Sequence, residues 1–139
     1  MKIALIITGV IVAAFIALQI IVRRRIKNMP AVEDHNSIIT LTDKNFSVQT
    51  KGRVVLVDFW AAWCAPCKIM APVLNKVAEE LSGNKRIAKV NIETYQILAK
   101  KFKVRSIPTL ILLKNGTEIK RFVGVKSKEF LLQQMNNVP

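Results

Sequence analysis

The sequence predicts an α/β fold: a central mixed sheet of about five strands flanked by helices, preceded by one N-terminal transmembrane helix. Three observations support this prediction. Residues 3–22 carry no charge. The apolar run at residues 54–59 is followed by a helical pattern at 65–81 and another apolar run at 87–92, and so long a crossover connects parallel strands. Asn115-Gly116 is typical of a hairpin turn between antiparallel strands.

Residues 1–27 are predicted to be a transmembrane anchor with a basic flank. As a helix, the uncharged run is about 30 Å long, enough to cross a bilayer. The alternative is a cleaved signal peptide, which has a shorter apolar core and a small-residue cleavage site. The flank is Arg23-Arg24-Arg25-Ile26-Lys27. We expect a single-pass protein of a bacterial-type inner membrane. Because Lys and Arg next to a membrane span favour the cytoplasmic side, its C-terminal part is expected in the cytoplasm. An extracytoplasmic location of that part is the alternative.

Residues 28–36 are predicted to be a polar linker with a solvated His35, and residues 37–139 a folded domain. An edge strand is expected within residues 37–41, and Thr42 or Asp43 is expected to cap a short helix through Val48. Further strands are expected at 87–92, 109–113 and 118–123, and further helices at 95–102 and after Ser127. In those two helices, helical spacing predicts a core-facing set: Ile97, Leu98, Phe102, Phe130, Leu131 and Met135.

The only two cysteines, Cys64 and Cys67, stand where the central strand ends and the next helix begins. Unpaired N–H groups at a helix N-terminus favour a thiolate, so Cys64 is predicted to be an accessible nucleophile. Cys67 is within reach of a disulfide, and Pro66 falls in the first turn, where a missing N–H costs little. A Cys-x-x-Cys pair beside a strand–helix unit indicates dithiol redox chemistry.

Zinc binding and a purely structural disulfide are weaker interpretations of the cysteine pair. A zinc site usually needs four ligands, and the chain has two cysteines and one histidine. A purely structural disulfide is disfavoured because so short a loop restrains the unfolded chain least. We therefore predict no metal.

Asp58 lies inside the apolar run of the central strand. Burial of an unpaired carboxylate is costly, so desolvation should raise its pKa. A neutral or proton-shuttling acid near Cys67 is useful, because the second thiol must lose a proton before it attacks. The alternative is an aspartate at the strand end, exposed to solvent.

The segment 57–68, Val-Asp-Phe-Trp-Ala-Ala-Trp-Cys-Ala-Pro-Cys-Lys, resembles the active-site segment of the thioredoxin family. So do Ile107-Pro108-Thr109, Lys114-Asn115-Gly116 and Val123-Gly124, and the resemblance covers roughly residues 37–138. It implies the thioredoxin fold, with Cys64 as nucleophile, Cys67 as resolving cysteine, Asp58 as proton acceptor for Cys67, and Lys89 near that acid in a tuning role.

The resemblance also implies a substrate surface. It implies a cis bond before Pro108 beside the cysteines, which would leave the backbone of Ile107 free to pair with an extended substrate segment. Trp63, Ile107, Pro108 and Gly124 would contact substrate; the alternative for Gly124 is an ordinary strand-end glycine. Ala65 stands where the family usually has glycine, so Ala65 and Pro66 are expected to tune the redox potential.

The resemblance, together with the apolar run at residues 3–22, implies a membrane-anchored member of the thioredoxin family that reduces protein disulfides. Its expected partners are disulfide-containing proteins, an upstream reductase and, through residues 3–22, the membrane; no cofactor is expected beyond the Cys64–Cys67 disulfide, and the soluble domain is expected to be monomeric. Residues 31–139 carry 17 bases and nine acids, a net charge of 17 − 9 = +8. These residues include a basic patch formed by Lys100, Lys101, Lys103 and Arg105. No series of aromatic residues that could stack on bases alternates with these basic residues, so no nucleic-acid partner is predicted.

Two alternative function classes stay open. In one, the domain is exported and acts as a disulfide oxidant, an isomerase or a cytochrome-maturation reductase. In the other, the chain is a non-catalytic, membrane-tethered interaction module, against which the intact cysteine pair argues.

Overall fold

The computed structural model describes residues 2–28, 30 and 32–138. Met1, Met29, Ala31 and Pro139, which belong to the predicted anchor, linker and domain, lie outside the described residues. The chain forms two compact units, Met1–Pro30 and Ala31–Pro139. The first unit contains helix α1 (Lys2–Lys27). Within it Ile6–Arg25 is long and apolar enough to cross a membrane, and its side chains are exposed, which fits either a membrane span or a signal sequence.

The second unit is built on a five-stranded sheet with the order β1-β3-β2-β4-β5. Strands β1, β2 and β3 run parallel, whereas β4 is antiparallel to both β2 and β5, which confirms the predicted mixed sheet. The elements of this unit are β1 (Ile39–Thr40), α2 (Phe46–Thr50), β2 (Val54–Trp60), α3 (Ala65–Glu80), β3 (Lys85–Asn91), α4 (Gln96–Lys101), β4 (Thr109–Lys114), β5 (Thr117–Val123) and α5 (Lys128–Asn136).

Strand β2 occupies the centre of the sheet and is covered on both faces, which is why its sequence is an almost continuous apolar run. Side chains alternate along it. Val54 and Leu56 pack in a core with α3 and α5, whereas Val55, Val57 and Phe59 pack in a second core with α2 and α4. By the same alternation Asp58 lies on the α3 face, near the strand end that leads into α3.

The register of the sheet brings Lys89 beside Asp58. Residue 89 is the partner of residue 58 in the parallel β2–β3 pair, and Ile87, two residues earlier on β3, packs in the core under α3. Both charged side chains therefore start from the same face of the sheet. On the other side of β2, the partner of Asp58 is the apolar Leu110 of β4.

Some local expectations were wrong. The first short helix begins at Phe46, because Thr42 and Asn45 first form a turn: the Thr42 N–H donates to Asn45 Oδ1 (2.8 Å) and the Asn45 N–H donates to Thr42 Oγ1 (3.2 Å). Ile97 was expected in the core but is 68% exposed, while its neighbour Leu98 is buried. Phe130 faces the core as expected and packs against it, but it is half-buried rather than buried, with its ring edge-on to Phe122 at 5.1 Å.

Residues 33–35, expected in a solvated linker, are bonded to the domain. The His35 N–H donates to Asn75 Oδ1 (2.9 Å), and Asn75 Nδ2 donates to the carbonyl of Glu33 (2.8 Å), so this segment is held against α3. His35 is half-buried rather than solvated, and its Nδ1 is hydrogen-bonded to Ser37 Oγ at 2.8 Å. Asp34 forms an ion pair with Lys89 (2.7 Å).

Candidate active site

Cys64 is the N-cap residue of α3, with an extended backbone (φ −79°, ψ 105°). Its Sγ accepts a hydrogen bond from the backbone N–H of Cys67 at 3.2 Å, so the sulfur takes the place of the oxygen of an ordinary capping residue. Pro66 falls in the first turn, where no intrahelical donor is lost. The N-cap position of Cys64 follows from the strand–helix junction that the sequence predicts. It directs the backbone N–H of Cys67 at Cys64 Sγ.

The two cysteines are joined by a disulfide, with their Cα atoms 5.3 Å apart. Only 3% of Cys64 and 4% of Cys67 is exposed, which contradicts the expectation of an accessible nucleophile. The reason is packing: with Ala61, the bonded pair lies against Trp60, Ile92 and Ile107. These exposures are those of the disulfide-bonded pair.

An open groove lies beside the disulfide. Trp63, 66% exposed, and Ile107 contribute to it together with Arg105, and it encloses about 310 Å³. Its full lining is Trp63, Ile92, Val104, Arg105, Ser106 and Ile107. The structure therefore brings two of the four predicted substrate residues to one groove, and Ile107 also packs against the cysteines.

The other two predicted substrate residues, Pro108 and Gly124, are hydrogen-bonded to each other. Pro108 directly follows Ile107, which lines the groove. The Ile107–Pro108 bond is cis, as the resemblance implied, and the carbonyl of Pro108 accepts a hydrogen bond from the N–H of Gly124 at 2.9 Å. Gly124 has φ +81°, a left-handed conformation that favours glycine, and a Cβ there would meet nothing within 4 Å. The backbone at Gly124 thus faces open space, as close approach of another chain requires.

Asp58 is buried, with 1% of its surface exposed, which contradicts the alternative of a solvent-exposed aspartate. Its Oδ1 has no hydrogen-bond partner among the described residues. Desolvation by burial raises the pKa of Asp58 to about 7; the positive charge of Lys89 lowers that pKa and the negative charge of Asp34 raises it. An acid with this pKa can accept and release a proton near neutral pH.

Lys89 is nearly buried, but its ammonium group is paired with Asp34 rather than with Asp58. Lys89 Nζ lies 2.7 Å from Asp34 Oδ1 and 4.5 Å from the centre of the Trp60 ring. A pocket of about 260 Å³ connects this ion pair with Cys67. It is lined by Val32, Asp34, Trp60, Ala61, Ala62, Cys67, Lys68, Ala71 and Lys89.

Sequence reasoning missed Asp34. The signal in the sequence was indirect: a lysine in the middle of a buried strand needs a counter-charge, and the sequence does not indicate which acid supplies it. Nothing periodic in residues 32–36 indicates that this segment folds back beside β3. Ala65 and Pro66 lie between the cysteines, half-buried and exposed respectively, where the sequence predicted them.

A redox-active cysteine pair at the N-terminus of a helix, next to the central strand of a mixed sheet, defines a thiol–disulfide oxidoreductase. The comparisons with known proteins agree. The family model described as Thioredoxin matches residues 37–137. The chain belongs to the thioredoxin family.

Curated relatives are similar over almost their whole length. Thioredoxin of Mycobacterium tuberculosis (strain ATCC 25618 / H37Rv) is 44% identical over 107 residues, covering 76% of this chain and 92% of the relative. Thioredoxin of Bacillus subtilis (strain 168) is 44% identical over 100 residues, covering 72% and 96%. Thioredoxin of Alicyclobacillus acidocaldarius subsp. acidocaldarius is 46% identical over 101 residues, with the same coverage. The protein is accordingly a protein-disulfide oxidoreductase.

Proposed function

We propose that this chain is a membrane-anchored thioredoxin that reduces disulfides in other proteins through the dithiol of Cys64 and Cys67. The observation that carries the proposal is the backbone N–H of Cys67 directed at Cys64 Sγ, 3.2 Å away, at the N-terminus of α3. A donor in that position stabilises negative charge on the sulfur of Cys64 and so favours the thiolate, the form that attacks disulfides.

In the first step of the proposed reaction, the Cys64 thiolate attacks one sulfur of the substrate disulfide. A new bond forms between Cys64 Sγ and that sulfur, the substrate S–S bond breaks, and the departing substrate thiolate takes a proton from solvent. The product is a mixed disulfide between Cys64 and the substrate.

In the second step, Cys67 gives its thiol proton to Asp58 and attacks Cys64 Sγ. The Cys64–Cys67 bond forms, the mixed disulfide breaks, and the second substrate sulfur leaves and is protonated. The burial of Asp58 and its pKa of about 7 support its role as proton acceptor for Cys67. Two electrons have then passed to the substrate, and an upstream reductase returns the dithiol. The chain's own chemistry needs no cofactor.

The substrate is expected to bind across Trp63, Ile107, Pro108 and Gly124. The exposed indole of Trp63 offers apolar contact area, and the backbone at Ile107 can pair with an extended segment of substrate as an added strand. The basic groove residue Arg105 suits substrates with an acidic residue near their disulfide. Ala65, in the position where the family usually has glycine, and Pro66 are proposed to tune the redox potential.

The location is proposed as a single membrane span through α1 with the domain in the cytoplasm. The apolar length of Ile6–Arg25 and the three arginines at 23–25 support this topology, because basic residues stay on the cytoplasmic side. Fusion of alkaline phosphatase and, separately, of green fluorescent protein to the C-terminus tests it. Fluorescence without phosphatase activity is expected; the reverse would indicate an exported domain.

The reaction is tested with the full chain in detergent micelles, insulin as the disulfide substrate and dithiothreitol as electron donor. Turnover is expected for the natural sequence and none for Cys64→Ser. In a separate incubation from which dithiothreitol has been removed, reduced Cys67→Ser should form mixed disulfides with insulin that persist on a non-reducing gel and disappear on reduction. Multiple turnovers by Cys67→Ser at the natural rate would contradict the two-cysteine scheme, and no turnover by the natural sequence would contradict the proposed function.

A further inference from the structure

The structure points to Asp34 as a positioning residue for the second step of the reaction. We propose that Asp34 holds the Lys89 ammonium group at the mouth of the pocket beside Cys67 and thereby keeps Asp58 free of an ion pair, able to take the Cys67 proton. The inference rests on the proposed role of Asp58 as proton acceptor. Asp34 lies before residue 37, where the match to the family model begins.

Lys89 pairs with Asp34 and not with the neighbouring Asp58. Its side chain is only 8% exposed, so its ammonium group needs a counter-charge close by. The two carboxylates whose charges are coupled to it are those of Asp34 and Asp58. Asp34 Oδ1 is 2.7 Å from Lys89 Nζ, whereas Asp58 Oδ1 has no hydrogen-bond partner among the described residues, although residues 58 and 89 are direct neighbours in the sheet.

Asp34 is held in a fixed position by hydrogen bonds of its two neighbours. The residues on each side of it are bonded to one side chain of α3: the Glu33 carbonyl accepts from Asn75 Nδ2 and the His35 N–H donates to Asn75 Oδ1. This two-bond clamp orients Asp34 towards β3. The indole of Trp60 covers the ammonium group from another side, with Nζ 4.5 Å from the ring centre.

The ion pair of Asp34 and Lys89 lies beside Cys67. Asp34, Lys89 and Cys67 line the same pocket, so the pair is adjacent to the sulfur that must lose a proton. The charges that act on Asp58 are those of Lys89 from β3 and Asp34 from the N-terminal segment. Cys67 and Lys68 from the first turn of α3 line the pocket with Asp34 and Lys89. On β4 the residue opposite Asp58 is Leu110, which carries no charge.

Without Asp34 two changes act in the same direction. The negative charge that opposes ionisation of Asp58 disappears, and the unpaired ammonium group of Lys89 favours the ionised form of Asp58. Asp34→Asn should therefore lower the pKa of Asp58 and move the pH dependence of the second step to lower pH. The matched control is Glu33→Gln, which removes the same charge one residue away and leaves the backbone clamp in place.

The test is a carboxyl-carbon NMR titration of the oxidised full chain in detergent micelles, labelled with ¹³C-aspartate. The chain has only three aspartates, Asp34, Asp43 and Asp58, so the resonances can be assigned by substitution. In the oxidised form the cysteines do not titrate. Asp34→Asn is expected to lower the Asp58 midpoint by about half a pH unit or more. Glu33→Gln should leave it unchanged, Asp34→Glu should largely preserve it, and the Asp34→Asn shift should shrink in a Lys89→Gln background.

The second readout is the pH profile of insulin reduction by the same proteins. In Asp34→Asn, the pH at which activity is lost on the acid side of the profile should decrease together with the titration midpoint of Asp58. In Glu33→Gln that pH should not change. An Asp58 midpoint that Asp34→Asn leaves unmoved, or that Glu33→Gln moves equally, would overturn the inference, as would a shifted midpoint with an unshifted profile. Each of these results leaves the two-cysteine function standing, whereas failure of that function appears separately, as turnover without Cys67 or as no turnover at all.

Discussion

Replacing Asp58 with asparagine should stabilise the protein at alkaline pH and have little effect at acidic pH. Burial raises the pKa of Asp58 from 3.8 to about 7, so the folded state holds the proton more tightly than the unfolded state does. As the pH rises from about 4 to about 7, the unfolded chain loses this proton first, and the free energy of unfolding falls. Above the pKa of Asp58 in the folded state this loss of stability no longer changes with pH. Below its pKa in the unfolded state there is no loss.

The magnitude follows from the size of the shift. A difference of about three pKa units, at about 1.4 kcal/mol per unit, corresponds to roughly 4 kcal/mol of destabilisation at pH 8. Asparagine has nearly the same shape and no charge, so the natural protein carries this penalty and Asp58→Asn does not. The stability difference between the two should therefore grow from less than about 1 kcal/mol at pH 4 to about 4 kcal/mol at pH 8.

The assay is urea unfolding of the oxidised full chain in detergent, followed by tryptophan fluorescence. Both tryptophans, Trp60 and Trp63, lie in the domain next to the disulfide, so α1 contributes no signal. The control is Asp43→Asn, the same chemical change at an exposed aspartate. A difference between Asp58→Asn and the natural protein that stays constant from pH 4 to pH 8, or that favours the natural protein at pH 8, would refute the reasoning.

Two further predictions concern stability. Leu74→Ala removes a fully buried side chain from the core under α3 and should destabilise the domain by about 2–5 kcal/mol in the same urea assay. Ile97→Ala changes a side chain that is 68% exposed and should alter the stability by less than about 0.5 kcal/mol. Equal effects of the two substitutions would contradict the assigned core. Gly116→Ala should destabilise the domain by about 1–2 kcal/mol more than Gly52→Ala does. Both glycines have a positive φ, but only at position 116 would a Cβ lie 2.9 Å from the side-chain oxygen of Thr50. Thermal unfolding followed by circular dichroism measures the difference, and equal losses of stability would contradict the predicted clash.

The elements that the sequence predicted well are those whose signals are local. The continuous apolar run of β2, the helical pattern of α3 and the Asn115-Gly116 turn each report on a few consecutive residues, and they were enough to predict the mixed sheet. Helix α4 was less predictable, since it has only six residues and one turn of pattern does not determine which face is buried; Ile97 was assigned to the core for that reason. The cis bond before Pro108 came from the family resemblance alone, since an X-Pro bond is cis in only about 5% of cases.

The sequence by itself determined the dithiol at a strand–helix junction, the buried acid in the central strand and the apolar N-terminal helix, because each depends on neighbouring residues and on spacing along one element. The tertiary structure alone decided how completely the cysteines are enclosed and which acid pairs with Lys89. Asp34 and Lys89 are 55 positions apart in the chain, and the contact exists because Asn75 clamps the N-terminal segment to α3. Charge pairing over such a separation depends on which surfaces the folded chain brings together, and no local periodicity encodes it.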